Sequence, residues 1–198
     1  TMVERYSRKE MAEKWSIRAK YDAWLKVEKA AVKAWNKLGF ISDSDCEKIC
    51  KNAKFEVARI DEIEKTTKHD VIAFLTSVSE SLGEESRFVH YGMTSSDCID
   101  TAVALQMKES LELIISDVEE FMQAVKNRAN EHKHTLMVGR SHGIHGEPIT
   151  FGLVLAIWYD EIARALKLIK DAKDTISYGK LSGAMGNLAH APMEFEEL

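Results

Sequence analysis

The sequence contains few of the residues that mark secreted, membrane or turn-rich proteins. Its 198 residues include three cysteines, two prolines and ten glycines. So few cysteines, in odd number, argue against a disulfide framework, and so few prolines and glycines argue against collagen-like, low-complexity or turn-rich β architecture. The longest apolar run, 153–159, is far shorter than the roughly 20 residues that a transmembrane helix needs. The charged N-terminus also lacks a signal-peptide core, so we predict a cytoplasmic protein that does not bind a membrane.

An excess of positive charge is also lacking. The sequence has 27 Lys and Arg residues against 32 Asp and Glu, a net charge of −5. Binding to nucleic acid or to an anionic membrane by bulk charge is therefore not expected. An anionic ligand would have to be met by a few placed cations. The 45% hydrophobic content is sufficient for a buried core and excludes a disordered chain.

Helical periodicity dominates the pattern of apolar residues. Four segments repeat apolar residues at the spacing of a helix: 15–38, 55–66, 71–82 and 96–134. Gly39 and Gly83 supply stop signals for two of them. Ser42 and Asp70 are the expected N-caps of helices that follow them, with Asp45 three residues after Ser42 as in a capping box.

The segment 96–134 contains neither Gly nor Pro, and at about 1.5 Å per residue it would form a helix about 60 Å long. Such a length favours an elongated helical bundle. Pro148 is expected in the first turn of a further long helix that runs through Ile169. Strand signals are few and short, at 135–138 and 176–178.

An all-α fold in two domains is the resulting prediction. An N-terminal helical domain would span residues 1–111, and residues 112–198 would form the first long helices of an elongated bundle. Two glycine-rich stretches, 139–148 and 179–190, interrupt the helical pattern. Such stretches occur where backbone turns sharply or approaches a ligand, although ordinary turns between helices would look the same.

Three polar clusters are candidates for chemistry. His142 precedes Gly143, and an accessible imidazole is suited to acid–base work near neutral pH. Lys68 lies just before an expected helix start, where free backbone N–H groups favour an anion. Thr94 and Ser95 enter the longest helix and could wrap a carboxylate or phosphate. Each cluster also has a purely structural interpretation, as a loop histidine, a helix cap or a hydroxyl cap.

A metal site is not expected. His142 and His145 lie three residues apart, and Cys46 and Cys50 lie four apart. Neither pair is accompanied by further ligands at metal-site spacing. The sequence also contains no P-loop, dinucleotide fingerprint, nucleophile elbow or zinc-protease motif.

Five stretches, in order along the chain, resemble the fumarase/aspartase superfamily of fumarate-releasing lyases. They are ERYS (4–7), TTKHDVIAFL (66–75), VHYGMTSSDCIDTA (89–102), GRSHGIHGEPITFG (139–152) and GKLSGAMGN (179–187). The resemblance covers essentially the whole chain and is closest to the branch that acts on purine nucleotides.

The resemblance implies a mostly helical three-domain subunit and a homotetramer built on a bundle of long helices, with active sites shared between subunits. The implied reactions are β-eliminations that release fumarate from a succinyl-substituted adenine nucleotide, to give AMP, and from the succinyl-carboxamide ribotide of purine synthesis. The partners would be a small nucleotide substrate and further copies of the chain. No metal or organic cofactor is implied.

The resemblance also implies roles for residues in the first two motifs. By motif position, Arg5 and Tyr6 would hold the nucleotide phosphate, a task suited to a guanidinium fork and a phenol. Lys68, His69 and Asp70 would line the nucleotide and succinyl site. Lys68 stands where many relatives have arginine, so a point charge replaces a two-pronged donor.

Four residues in the later motifs receive implied roles. Thr94 and Ser95 would bind oxygens of the succinyl carboxylates, and His90 matches a position near the site in relatives. His142 matches the general acid that protonates the leaving nitrogen as the C–N bond breaks.

The Gly-Ser-Ser loop that carries the base in this superfamily is not in the sequence. We therefore expect the 198 residues to be the N-terminal portion of an enzyme and to be inactive alone. Argininosuccinate lyases and carboxymuconate cycloisomerases share the scaffold and remain alternatives, although Arg5 and Tyr6 favour a nucleotide phosphate. A non-catalytic helical protein that assembles through its long helix is an alternative from a different class.

Overall fold

A computed structural model describes residues 3–198. In this range the chain forms eight α-helices, two short 3-10 helices (Glu4–Tyr6 and Glu84–Phe88) and one antiparallel hairpin. The α-helices are α1 (Lys9–Lys14), α2 (Ile17–Lys37), α3 (Asp43–Asn52), α4 (Val57–Thr67), α5 (Asp70–Ser79), α6 (Ser95–Glu131), α7 (Phe151–Ile176) and α8 (Glu194–Glu197). The strands are β1 (Leu136–Ser141) and β2 (Ile144–Thr150). The predicted helical fold class is confirmed, with the hairpin as its exception.

The chain divides into two compact units. One comprises the residues up to Met107 together with Ser177–Leu198, and the other comprises Lys108–Ile176. Helix α6 contributes residues to both units. The domain boundary predicted after residue 111 stays a prediction.

Helix α2 lies at the centre of the core of the first unit. Its buried side chains recur every three or four residues and so share one face. Tyr21 stacks on Phe74 of α5 with ring centroids 5.7 Å apart, and Trp24 meets Phe74 edge-on at 5.4 Å. Further along the helix, Trp35 stacks on Phe195 of α8 at 4.4 Å. These aromatic contacts fix neighbouring helices, and the loops between them, against α2.

Local signals explain most helix ends in the first unit. The Ser16 hydroxyl accepts a hydrogen bond from the Ala19 N–H at 3.1 Å at the start of α2, and Gly39 takes a φ of +78° just after its end. Ser42 caps α3 as predicted, since its hydroxyl accepts from the Asp45 N–H at 3.1 Å.

The start of α5 differs from the prediction. The N-cap is His69 rather than Asp70, because the His69 Nδ1 accepts a hydrogen bond from the Ile72 N–H at 3.4 Å. Asp70 is the first helical residue, where a carboxylate favours the positive end of the helix dipole. The helix ends at Ser79, before the predicted end at 82.

The second unit contains the C-terminal part of α6, the hairpin and α7. The long helix predicted over 96–134 is confirmed as α6, which ends at Glu131. Its end packs closely on the start of α7, since a Cβ added at Gly152 would lie 2.6 Å from the Ala129 carbonyl oxygen. The buried side chains of this unit include Val125, Leu155 and Leu166.

Two predictions around α7 are wrong. Pro148 lies in β2 opposite Val138 rather than in the first turn of a helix. A two-stranded hairpin tolerates proline because each strand has a free edge that needs no N–H donor. The strand signal at 176–178 is also wrong, since Ile176 is the last residue of α7. In the described residues, no helix combines the length and apolarity needed to cross a bilayer.

Candidate functional site

One face of α2 holds two of the loops that carry predicted site residues. The Lys20 ammonium lies 3.9 Å from the Asp70 carboxylate, and the Glu28 carboxylate lies 2.7 Å from the His90 Nδ1. Eight residues along a helix correspond to about 12 Å. The two loops therefore reach the same helix about two turns apart.

Lys68 and His69 form the turn between α4 and α5, and Asp70 is the first residue of α5. Lys68 ends α4 in a left-handed conformation, with φ 53° and ψ 28°, and its side chain is exposed. The His69 imidazole is 44% exposed and its Nδ1 lies 3.7 Å from an Asp70 oxygen. That oxygen also accepts a hydrogen bond from the Val71 N–H at 2.8 Å. An ammonium and an imidazole thus stand open to solvent at a helix N-terminus, where the dipole favours anions.

Helix α6 begins with hydroxyl groups that the helix itself does not use. The Asp97 carboxylate accepts from the Thr94 N–H at 2.9 Å, the carboxylate half of a capping box. Ser96 is engaged, since its hydroxyl accepts from the Lys180 ammonium at 3.2 Å. The hydroxyls of Thr94 and Ser95 make no hydrogen bond within the described part of the chain. Both predicted binding hydroxyls are therefore available to a ligand.

Asp97, which sequence reasoning missed, joins this helix start to the glycine-rich stretch 179–190. Its carboxylate is fully buried. One oxygen lies 2.6 Å from the Lys180 ammonium, and the carboxylate also accepts from the N–H groups of Ser182 and Gly183 at 3.2 and 3.1 Å. Its position three residues after an expected cap is the sequence signal that could have identified it.

His90 is held against a buried carboxylate. Its side chain is 18% exposed, whereas that of Glu28 is 1% exposed. The next residue is also fixed, since the Trp35 indole N–H donates to the Tyr91 carbonyl at 2.9 Å. Glu28 was not identified from the sequence. The signal that could have identified it is a single acidic residue within the apolar face of a helix.

His142 lies at the tip of the hairpin in the second unit. Ser141 pairs with Ile144, so His142 and Gly143 form a two-residue turn with φ values of +53° and +75°. Two successive positive φ values are the pattern of a type I′ turn. The His142 side chain is exposed and makes no hydrogen bond with any residue from 3 to 198. The imidazole is accordingly accessible to a ligand.

The stretch 139–148, predicted as a loop, is mostly hairpin. The strand register shifts between Val138 and Arg140, which indicates a bulge. A Cβ added at Gly139 would lie only 2.6 Å from the Glu147 carbonyl oxygen. The glycine is therefore required for the close approach that shapes the hairpin below His142.

Three predicted site residues share a backbone conformation that is uncommon for residues other than glycine. The described residues other than glycine with positive φ are Lys68, His90, His142 and Leu188. The left-handed region costs an L-residue roughly 1–2 kcal/mol. Such conformations cluster at functional sites, and this independent observation points to the same residues as the motifs.

Arg5 and Tyr6 lie in the first short 3-10 helix. The Arg5 guanidinium stacks over the Tyr6 ring, 4.8 Å from its centroid. The Tyr6 side chain is 78% exposed. A guanidinium and a phenol are thus presented together at the surface of the first unit, which also contains the turns at 68–70 and 90–95.

Fold and side chains together define a class of protein. It is mostly helical, and its exposed cations and its exposed or partly exposed imidazoles and hydroxyls suit an anionic ligand and proton transfer. The particular family follows from comparison, since the model of the lyase family matches residues 4–198. The chain belongs to this lyase family.

Curated relatives narrow the comparison. The chain is 64% identical over 197 residues to adenylosuccinate lyase from Helicobacter pylori (strain ATCC 700392 / 26695), a match that covers all of this chain and 45% of the relative. It is 49% identical over 195 residues to adenylosuccinate lyase from Staphylococcus saprophyticus. That alignment covers 98% of this chain and 45% of the relative. The chain spans about half the length of the curated relatives it matches.

Solved structures share the fold. A fumarate lyase from Mesorhizobium sp. BNC1 matches with a TM-score of 0.90 at 25% identity, covering 100% of this chain and 48% of that one. The β-carboxy-cis,cis-muconate cycloisomerase from Acinetobacter calcoaceticus sp. ADP1 matches with a TM-score of 0.83 at 25% identity, covering 96% and 48%.

Proposed function

We propose that the protein containing this chain is a lyase of purine nucleotide synthesis. It would eliminate fumarate from adenylosuccinate to give AMP, and from the succinyl-carboxamide ribotide in the same way. The observation that carries this proposal is the 64% identity over 197 residues to a relative named adenylosuccinate lyase. The muconate cycloisomerase, by comparison, is only 25% identical.

The substrate would be held by exposed and partly exposed groups of the first unit. Arg5 and Tyr6 would take the nucleotide phosphate, for which a guanidinium fork next to a phenol is well suited. Thr94 and Ser95 would donate to a succinyl carboxylate, and their hydroxyls have no competing partner among residues 3–198.

The turn at 68–70 and His90 would complete the binding groups. Lys68 supplies an exposed ammonium, and His69 and Asp70 lie at the positive end of α5. Lysine in place of the usual arginine would still attract an anion, with less control of its orientation. His90 presents a partly exposed imidazole from the loop that also carries Thr94.

His142 would be the general acid. Elimination breaks the C–N bond while a base removes the proton from the adjacent carbon, and the leaving nitrogen needs a proton. An exposed imidazole at a hairpin tip can approach that nitrogen without rearranging a packed core. The base would come from the remainder of the protein.

We further propose that the protein assembles as a homotetramer with shared active sites. The second unit exposes large apolar side chains on both long helices, among them Phe121, Leu153, Ile157 and Leu168. Exposed apolar surface of this kind is typical of an interface between subunits.

We also propose a cytoplasmic location for the protein, because Cys46, Cys50 and Cys98 are all free thiols and such thiols are typical of a reducing compartment.

The test is an assay of the whole purified protein with adenylosuccinate, in which fumarate and AMP are quantified together. Equal amounts of both products are expected. Argininosuccinate and carboxymuconate are tested as alternative substrates in separate assays. Turnover of either one in place of adenylosuccinate would assign the protein to a sister enzyme, and no turnover of any substrate would favour the non-catalytic assembly protein.

A further inference from the structure

Glu28 is a buried carboxylate with one oxygen that lacks a partner among residues 3–198. Its side chain is 1% exposed and lies on the core-facing side of α2. One oxygen, Oε1, lies 2.7 Å from the His90 Nδ1. The other, Oε2, is buried without a hydrogen-bond partner in the described part of the chain. Because an unpaired buried carboxylate is strongly destabilising, a positive partner beside Glu28 would stabilise its charged form.

His90 is the neighbour that can supply this charge. The Cys98 thiol also lies near Glu28, but it is neutral, since burial raises its pKa far above the usual range and the Glu28 carboxylate raises it further. An ionised carboxylate only accepts hydrogen bonds. Beside an ionised Glu28 the His90 Nδ1 would donate, and the proton would then lie on that nitrogen.

We propose that Glu28 is a positioning residue for His90. Its carboxylate holds the ring as an imidazolium through Nδ1–H, so that Nε2–H can donate to an anionic oxygen of the substrate. The inference rests on the proposed function, because it assumes an anionic substrate at the loop that carries Thr94 and Ser95. It adds a role for Glu28, which none of the five motifs contains.

The loop around His90 supports this role. The backbone of His90 has a φ of +65°, a left-handed conformation that costs roughly 1–2 kcal/mol. The loop is pressed against α2, since a Cβ added at Gly92 would lie 2.9 Å from the Trp35 ring. A turn closed by the Met93 N–H and the His90 carbonyl, 3.2 Å apart, leads directly to Thr94. The imidazole is thus held by Glu28 through Nδ1, and its side chain remains 18% exposed.

The kinetic consequence follows from the contact that Nε2 makes. A carboxylate that keeps its charge through the reaction, or a phosphate, binds equally in the ground state and the transition state. Loss of such a contact raises KM and leaves kcat nearly unchanged. A residue needed only for folding would instead lower the amount of active protein.

Replacement of Glu28 tests the proposal in the whole protein. For Glu28→Gln we expect KM to rise about tenfold, as for one hydrogen bond to a charged group, and kcat to stay within about threefold. Asp22→Asn is the matched control, since it removes one carboxylate from the same helix, 46% exposed and 3.4 Å from Arg18. Its KM should equal that of the unmodified protein. An unchanged KM in Glu28→Gln would overturn the proposal.

Product inhibition identifies the anionic group. Weaker inhibition of Glu28→Gln by fumarate would assign the contact to a carboxylate, and weaker inhibition by AMP would assign it to the phosphate. If inhibition by both products is unchanged, His90 does not contact an anion and the proposal is overturned.

Neutron diffraction from crystals of the unmodified protein near neutral pH gives a test that needs no variant. Deuterons are expected on both ring nitrogens of His90 and on neither oxygen of Glu28. A deuteron on Glu28, or a His90 Nδ1 without one, would overturn the ion pair even if Glu28→Gln did not fold. If the protein forms no AMP, the proposed function fails, whereas the deuteron positions still decide the state of the pair.

Discussion

The hairpin tip places unusual demands on its first residue. His142 must adopt a positive φ, be followed by a second residue with positive φ, and keep its side chain exposed. Asparagine and aspartate are common at such positions, and histidine is also enriched there. The chain thus presents an imidazole where asparagine would satisfy the backbone equally well. The backbone therefore accepts histidine without requiring it, which is compatible with the chemical role proposed for His142.

The proposed general-acid role predicts the effect of His142→Asn in the whole protein. Asparagine preserves the turn but cannot deliver a proton near neutral pH, so kcat should fall about 10²- to 10⁴-fold. Thermal unfolding should be unchanged. His145→Asn is the control, because His145 is an exposed histidine on β2 opposite Arg140. The measurement is steady-state fumarate release, and a kcat within about fivefold of that of the unmodified protein would contradict the proposed role.

At the scale of elements, the start of α6 depends on one buried carboxylate. Asp97 accepts hydrogen bonds from the Lys180 ammonium and from backbone N–H groups on both sides of the contact. Asp97→Asn would remove the negative charge that pairs with Lys180. It would also replace one accepting oxygen by an NH₂ group, which faces N–H donors and cannot accept from them. We expect a loss of at least about 2 kcal/mol in the free energy of unfolding. This estimate is below that for a fully buried pair because the Lys180 side chain is 36% exposed.

Urea unfolding of the chain provides the measurement for Asp97→Asn. Asp100→Asn is its control, since Asp100 is exposed one turn later on the same helix. The free energy of unfolding of the control should lie within about 0.5 kcal/mol of that of the unmodified chain, as is usual for surface substitutions. Equal midpoints for the two variants would mean that the contact with the 179–190 stretch contributes nothing to stability.

Elements with strong local signals could be predicted from the sequence. The apolar spacing within 96–134 and the cap at Ser42 depend on neighbours a few residues away, and both are confirmed. The β2 strand was missed because Pro148 favours a helix start locally, whereas pairing with Val138 decides its conformation. His69 was missed as a cap because an imidazole acceptor is not among the usual capping groups.

The polar contacts around the candidate site were beyond sequence reasoning for a similar reason. Glu28 and His90 are 62 residues apart in the chain, and Asp97 and Lys180 are 83 apart. A sequence pattern identifies which side chains are polar, but only the packed fold decides which of them meet. The motif residues themselves could be proposed without the fold, because the resemblance identifies them by position.

At the scale of the whole molecule, the second unit leaves apolar surface that its own residues do not cover. Ile114 and Phe121 lie seven residues apart, on one side of α6, with 38% and 53% of their surface exposed. Leu153 and Ile157 on α7 are each about half exposed. An isolated chain would present these side chains to water, whereas an assembly built on its long helices would bury them.

Phe121→Glu tests this assembly. A carboxylate in an apolar interface must be desolvated without a partner, so the whole protein should sediment as a species smaller than the unmodified assembly. Gln123→Glu is the control, because Gln123 is an exposed polar residue two positions along the same helix. It adds the same charge on a different side of α6 and should leave the sedimentation coefficient unchanged. If Phe121→Glu sediments like the unmodified protein, the α6 side that carries Ile114 and Phe121 is not the interface.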